Sequence, residues 1–210
     1  SIPKEEIGVV MDEVGFPECL TPTQIGLIMK DSFNNWDSSL YSQYLQTFHL
    51  PEKKEFGQFS KGMKMKLGIA VALSHHPKLL ILDEATSGLD PVVRDEILDI
   101  FNDFTRDESH AILISSHIVS DLEKICDYIA FLHKGKLVLY EEKDRLLEEY
   151  GIIQCTKEQL QELDPSAIIG VKQTSYNTEA VILRDQIPEG FSVQPVSIED
   201  LFIFMIKEAH

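Results

Sequence analysis

Basic side chains are scarce in this chain of 210 residues: 19 Lys and Arg stand against 35 Asp and Glu, a formal charge of −16. A surface that gripped phosphodiester backbones would have to be built against that field, so nucleic acid is not an expected partner. Cysteine is also scarce. Cys19, Cys126 and Cys155 are odd in number and lack metal-ligand spacing, which excludes a disulfide framework and a zinc site and suits a reducing compartment. No apolar run approaches the roughly 20 residues of a membrane span, and Ser1-Ile2-Pro3-Lys4 does not open a signal peptide. Any membrane role is then expected through a partner. Gly and Pro, at 11 and 9, are too few for a low-complexity chain, while 43% hydrophobic and 26% charged residues are the proportions of a globular protein.

What the chain does have is an alternation of apolar strands and amphipathic helices. Residues 7–11 form a short apolar strand candidate, followed by a loop punctuated by Gly15, Pro17 and Pro22. Residues 21–48 read as helical and polar, with Leu27, Ile28, Trp36, Leu40, Tyr41, Tyr44 and Leu45 spread along them, and the segment 21–59 reads as a small helical insert. Ser60 is placed to cap a helix running to Ser74, closed by Pro77. Strands are expected at 78–83, 110–115 and 128–133, and helices at 91–106, opened by Pro91, and at 119–126. Lys134-Gly135-Lys136 makes a tight turn into residues 137–140, a hairpin at the sheet edge. Continuous apolar strands separated by helices predict a parallel sheet covered on both faces. After a helix at 143–150 the character changes, and residues 151–210 read as an α+β appendix ending in a helix over 197–208.

Three places carry candidate chemistry. The strand "LLILD" runs into Asp83-Glu84, and in α/β sheets ligands collect at the carboxyl ends of strands. One carboxylate there can hold a hydrated Mg²⁺ while its neighbour polarises a water, the two tasks phosphoryl transfer needs. The strand "AILISS" ends on His117, a second titratable group at the same edge. Ahead of both, Ser60 and Gly62 begin a helix whose first amides face an incoming anion. Each has a plainer reading, as a polar strand end, a surface histidine and a simple helix cap.

The order and spacing of these elements resembles the nucleotide-binding domains of the ATP-binding cassette family over about residues 7–151. "LLILDE" is similar to the Walker B strand, "SGLD" to the D-loop, "FSKGM" to the LSGGQ signature and "SSH" to the switch histidine. The resemblance implies a P-loop NTPase-like α/β fold: a mostly parallel sheet flanked by helices in residues 1–150, a helical subdomain at about 21–59 and an accessory region at 151–210. It implies ATP and Mg²⁺ as ligands, with Asp83 at the metal, Glu84 as general base and His117 at the γ-phosphate. Ser60 and Gly62 would touch the γ-phosphate held by a second nucleotide-binding subunit, and Asp90 would lie at that seam. Lys61 stands at the signature's first Gly and offers a further phosphate contact; Asp12 stands where the family carries Gln, an acid that suits a metal shell. An integral membrane permease would dock on the helical subdomain, holding the subunit at the cytoplasmic face of the membrane as part of an exporter. Two alternatives remain open: a cassette ATPase working on nucleic acid or ribosomes, and a regulatory module without turnover.

One absence bears on all of this. The chain contains no G-x-x-x-x-G-K-[ST], the loop whose amides and Lys cradle phosphates. In the family that loop precedes the strand at 7–11, together with the first strands of the sheet. The expectation is a C-terminal portion of a longer subunit, not competent for turnover alone, whose strands leave apolar surface in need of cover.

Overall fold

The computed structural model describes residues 3–173, 178–188 and 190–208. They form two compact units, Ser1–Ile118 and Val119–His210.

The first unit is built on three parallel strands in the order β1 (Ile7–Val10), β2 (Leu79–Asp83), β3 (Ala111–Ser115), with the helices α1 (Pro22–Ser32), α2 (Ser38–Thr47), α3 (Lys61–Leu73) and α4 (Pro91–Phe104) between them. Register is set residue by residue: Ile7 lies opposite Leu79, Leu79 opposite Ala111, and Asp83 opposite Ser115. That in-step pairing brings the carboxyl ends of β2 and β3 level, which is what gathers their polar termini. Val10, Leu80 and Leu82 are buried on one face of the sheet, with Leu67, Ile69 and Ala70 of α3 also buried. On the other face Val9 and Leu113 are 53% and 63% exposed. The expectation of a sheet covered on both faces therefore holds for one face of the described residues. Apolar continuity in a strand shows that both faces want cover; it cannot show which elements supply it.

Each helix starts where the sequence gives it a stop signal for extended chain. Thr21 and Gln24 form a reciprocal capping box at α1, Asp37 accepts from the amides of Ser39 and Leu40 at α2, and Ser60 accepts from Met63 at α3. The insert closes on itself through Tyr41, whose ring fills the space over Gly26: a Cβ there would lie 2.6 Å from the ring. Its buried hydroxyl donates to the Pro22 carbonyl at 2.9 Å. The insert is tied back by the α1–α2 connection. Asn35 donates to the carbonyls of His75 and Glu5, and Phe33 stacks on the buried His75 ring at 4.2 Å.

His75 Nδ1 lies 3.0 Å from the Glu5 carbonyl, so that nitrogen carries the proton and donates. Burial lowers the proton affinity of the imidazole below its ordinary 6.5, against a weaker opposing effect of the backbone hydrogen bonds. A group with a depressed folded value binds fewer protons folded than unfolded, so its contribution to stability is fully present above about 6.5 and is lost as pH falls from there through the lower folded value. Urea midpoints of this chain should decrease between pH 7.5 and 5.5, and the decrease should be smaller in His75→Gln. An equal slope in the variant would remove His75 as its source.

In the second unit α5 (Val119–Ile125) leads into a hairpin, β4 (Tyr128–His133) and β5 (Lys136–Glu142), then α6 (Lys143–Glu149), β6 (Tyr150–Cys155), α7 (Lys157–Gln161), β7 (Ile168–Gln173), β8 (Thr178–Leu183), β9 (Val193–Gln194) and α8 (Ile198–Glu208). Lys134 and Gly135 both have positive φ, 48° and 74°, the two-residue turn that matches the twist of antiparallel strands. The hairpin expected at the sheet edge forms, but β4 and β5 pair with each other in a separate two-stranded sheet. A four-stranded antiparallel sheet follows in the order β7-β8-β6-β9.

The division expected at 150/151 is found at 118/119. Ile129 and Phe131 of β4 share one apolar cluster with Leu146, Val181, Ile198, Leu201 and Phe204, so the hairpin draws its core from the C-terminal elements. Ser197 caps α8 through reciprocal bonds with Asp200.

Candidate functional site

The carboxyl end of β2 carries Asp83 and Glu84 out of the sheet in different ways. Asp83, the last residue of the strand, accepts a hydrogen bond at Oδ1 from the Ser115 hydroxyl at 2.6 Å. Sequence reasoning missed Ser115; the signal was register, since Asp83 and Ser115 are direct partners across β2 and β3. Glu84 leaves the strand in the left-handed region, φ 50°, a conformation that costs a non-glycine residue roughly 1–2 kcal/mol. Two backbone bonds hold it there. Its amide donates to the Ser115 carbonyl at 3.0 Å, and its own carbonyl accepts from Ser87 at 3.0 Å.

The turn in the backbone aims the Glu84 carboxylate toward the loop after β3. His117 Nδ1 lies 2.6 Å from Glu84 Oε2, so the histidine predicted to stand beside the carboxylates does so. The Glu84 side chain is 28% exposed and that of His117 68%, which leaves the imidazole open to a ligand and the carboxylate sheltered behind it. Carboxylates and a hydroxyl are the hard oxygen donors that suit Mg²⁺, a cation that keeps several waters and takes one or two protein carboxylates. The donor set fits.

Five further candidates lie at neighbouring helix starts and loops. Asp90 accepts from the amides of Val92 and Val93 at 3.1 Å each and so caps α4. At the start of α3, Ser60 caps the helix through its contact with the Met63 amide at 3.3 Å. A Cβ at Gly62 would sit 3.2 Å from Val93 Cγ1, which sets how closely the first turns of α3 and α4 approach. Lys61, read as a phosphate contact, and Asp12, read as suited to a metal shell, form an ion pair at 2.8 Å. Gly88, φ 67°, lies under the Lys61 side chain, and it too escaped sequence reasoning. The register of β2 and β3 thus joins Asp83, Glu84 and His117, whereas Ser60, Lys61, Gly62, Asp12 and Asp90 line the neighbouring helix starts and loops.

A parallel α/β sheet whose strand ends present two adjacent carboxylates and a histidine, beside a capped helix start, is the arrangement that the sequence resemblance implies. A family profile described as "ABC transporter" matches residues 1–87. The chain is 48% identical over 93 residues to a lantibiotic transport ATP-binding protein of Streptococcus pyogenes, covering 44% of this chain and 40% of that one. It is 38% identical over 134 residues to a bacitracin transport ATP-binding protein of Bacillus licheniformis, covering 63% and 44%. An ABC transporter ATP-binding protein of Bacillus subtilis is 27% identical over 200 residues, covering 90% and 68%. Among solved structures, an ATP-binding subunit of an ABC transporter superposes with a TM-score of 0.60 at 26% identity, over 68% of this chain and 61% of that one. Residues 1–87 match the ABC transporter family, and the relatives and the superposed structure support an ABC transporter ATP-binding subunit. It spans less than half the length of the first two relatives.

Proposed function

We propose that this chain supplies the hydrolytic half-site of an ATP-binding subunit that powers a membrane exporter. The carrying observation is Glu84, held at φ 50° with its carboxylate 2.6 Å from His117. Strained backbone of this kind persists where the surroundings over-determine it, and a carboxylate fixed against an imidazole is equipped to take a proton from water. Bound ATP with Mg²⁺ supplies an electrophilic phosphorus and a leaving group. Asp83 would hold the metal through its waters, kept in orientation by Ser115. Glu84 would accept the proton of the attacking water. His117, fixed through Nδ1, would offer its remaining nitrogen to the terminal phosphate.

Ser60 and Gly62, at the exposed start of α3, would meet a nucleotide presented by a second subunit, with Asp90 at the same seam. The amides of a helix start are ready anion ligands, and Ser60 presents the hydroxyl that caps them. The phosphate loop that this chain does not contain would come from elsewhere in the subunit. On the helical insert, Leu27 and Ile28 of α1 are 61% and 46% exposed, an apolar pair suited to docking a permease. Among the described residues no helix is long and apolar enough to cross a membrane. The transport role in the relatives' names supports a position at the cytoplasmic face, held through that partner. Two relatives are named for lantibiotic and bacitracin transport, which supports transport of compounds of that kind as the class of process. An acidic chain of charge −16 disfavours the nucleic-acid alternative.

The test is hydrolysis by the subunit that includes the phosphate loop. Turnover should require Mg²⁺ and stop when EDTA removes it, and a subunit that binds ATP without any turnover would favour the regulatory module instead.

A further inference from the structure

Asp12 and Lys61 depart from the cassette pattern in opposite senses, one replacing a neutral Gln by an acid and the other a Gly by a base. The structure joins the two departures. Lys61 Nζ lies 2.8 Å from Asp12 Oδ1, across 49 positions of chain. A lysine as the first residue of α3 faces the positive end of the helix, where aligned amides disfavour a cation, and the Asp12 carboxylate offsets that repulsion.

The path of the side chain is constrained as well. A Cβ at Gly88 would lie 3.2 Å from Lys61 Nζ and 3.6 Å from its Cδ. A Cβ there would crowd the end of the lysine and make it give by a few tenths of an ångström, and φ 67° at Gly88 favours glycine independently. One ammonium therefore meets three segments: the loop after β1, the start of α3 and the turn after β2. Its side chain is 46% exposed and that of Asp12 43%, so a second anion can reach the ammonium without dismantling the pair.

We infer that Asp12 is a positioning residue for Lys61, and that Lys61 is the phosphate ligand the pair presents to the nucleotide of the opposite subunit. Asp12 then acts through the lysine and is not a ligand of the metal. The inference rests on the cassette reading above and deepens it at one position. A four-carbon stem tied at its tip by a carboxylate samples fewer of its rotamers, so the charge waits where the anion arrives.

The experiment is ATP-driven dimerisation of the subunit that includes the phosphate loop, followed by sedimentation at fixed Mg²⁺ and then across a Mg²⁺ titration. Lys61→Met should weaken dimerisation about tenfold or more, as expected for one lost charge-assisted phosphate contact. Asp12→Asn should weaken it about fivefold, the upper range for an exposed ion pair, and less than twofold when combined with Lys61→Met. Its Mg²⁺ midpoint should match the parent's. Lys61→Arg, which retains a cation within reach of Asp12, should keep most of the affinity and the sensitivity to Asp12→Asn. Equal losses from Asp12→Asn in the parent and in the Lys61→Met variant, or a several-fold shift of its Mg²⁺ midpoint, would return Asp12 to the metal and overturn the inference. A parent subunit that stays monomeric with ATP would instead overturn the functional reading on which it stands.

Discussion

Glu84→Gln should reduce ATP turnover of the subunit by about a hundredfold or more, with nucleotide binding retained. The amide keeps the size and shape of the carboxylate and can still contact His117. What it loses is the ability to accept a proton, and a positioned general base contributes roughly 10²- to 10⁴-fold. The 2.6 Å approach of His117 to Glu84 fixes the direction in which the carboxylate points before any water is bound. A drop in kcat with little change in KM is the signature of an interaction made only in the transition state. Steady-state hydrolysis over a range of ATP concentrations reads both parameters, and undiminished kcat would refute the assignment.

Phe101→Ala should lower the stability of the chain by about 3–5 kcal/mol, the range for truncating a buried aromatic in a packed core. Phe101 is fully buried on α4, as is Ile97 one turn earlier. The first turn of the same helix carries Asp90 at its cap and Val93 against Gly62. Loosening the core end of α4 therefore bears on the seam elements as well as on the fold. Urea unfolding followed by circular dichroism measures the loss. A change below about 1 kcal/mol would mean that the site collapses around the missing ring, or that α4 is not packed as described.

The local chemistry of this protein was readable without coordinates because each local choice agrees with the element it serves. Ser60 was read as a cap and caps α3, and Thr21, Asp37 and Asp90, short oxygen-bearing side chains of the same kind, cap the helices that follow them. Lys134-Gly135 between two apolar runs specified a hairpin, and the turn has the two positive φ values that such a turn requires. The carboxylates and the histidine were legible for a further reason. In a parallel sheet, strand ends that follow equal apolar runs come out level, so Asp83, Glu84 and His117 had to share an edge once the strands paired in step.

What could not be read was anything that depends on which surfaces meet. The boundary between units was expected at 150/151 because composition changes there, yet packing decides boundaries, and the buried face of β4 is spent on α6, β8 and α8. Ser115 was read as the end of a strand; only register made it the partner of Asp83. Gly88 was read only as part of "SGLD", while in the fold a side chain there would crowd the end of Lys61.

The sequence by itself determined most of the elements, the cap at Ser60 and the candidates Asp83, Glu84 and His117, since these follow from side-chain chemistry within a few residues of chain. The tertiary structure alone decided that Glu84 turns through the left-handed region to meet His117, and that Asp12 and Lys61 answer one another across 49 positions. Both are contacts between segments far apart in the chain. Periodicity and spacing carry no information about such distances, which are fixed only when the sheet register and the approach of α3 to its neighbours are fixed.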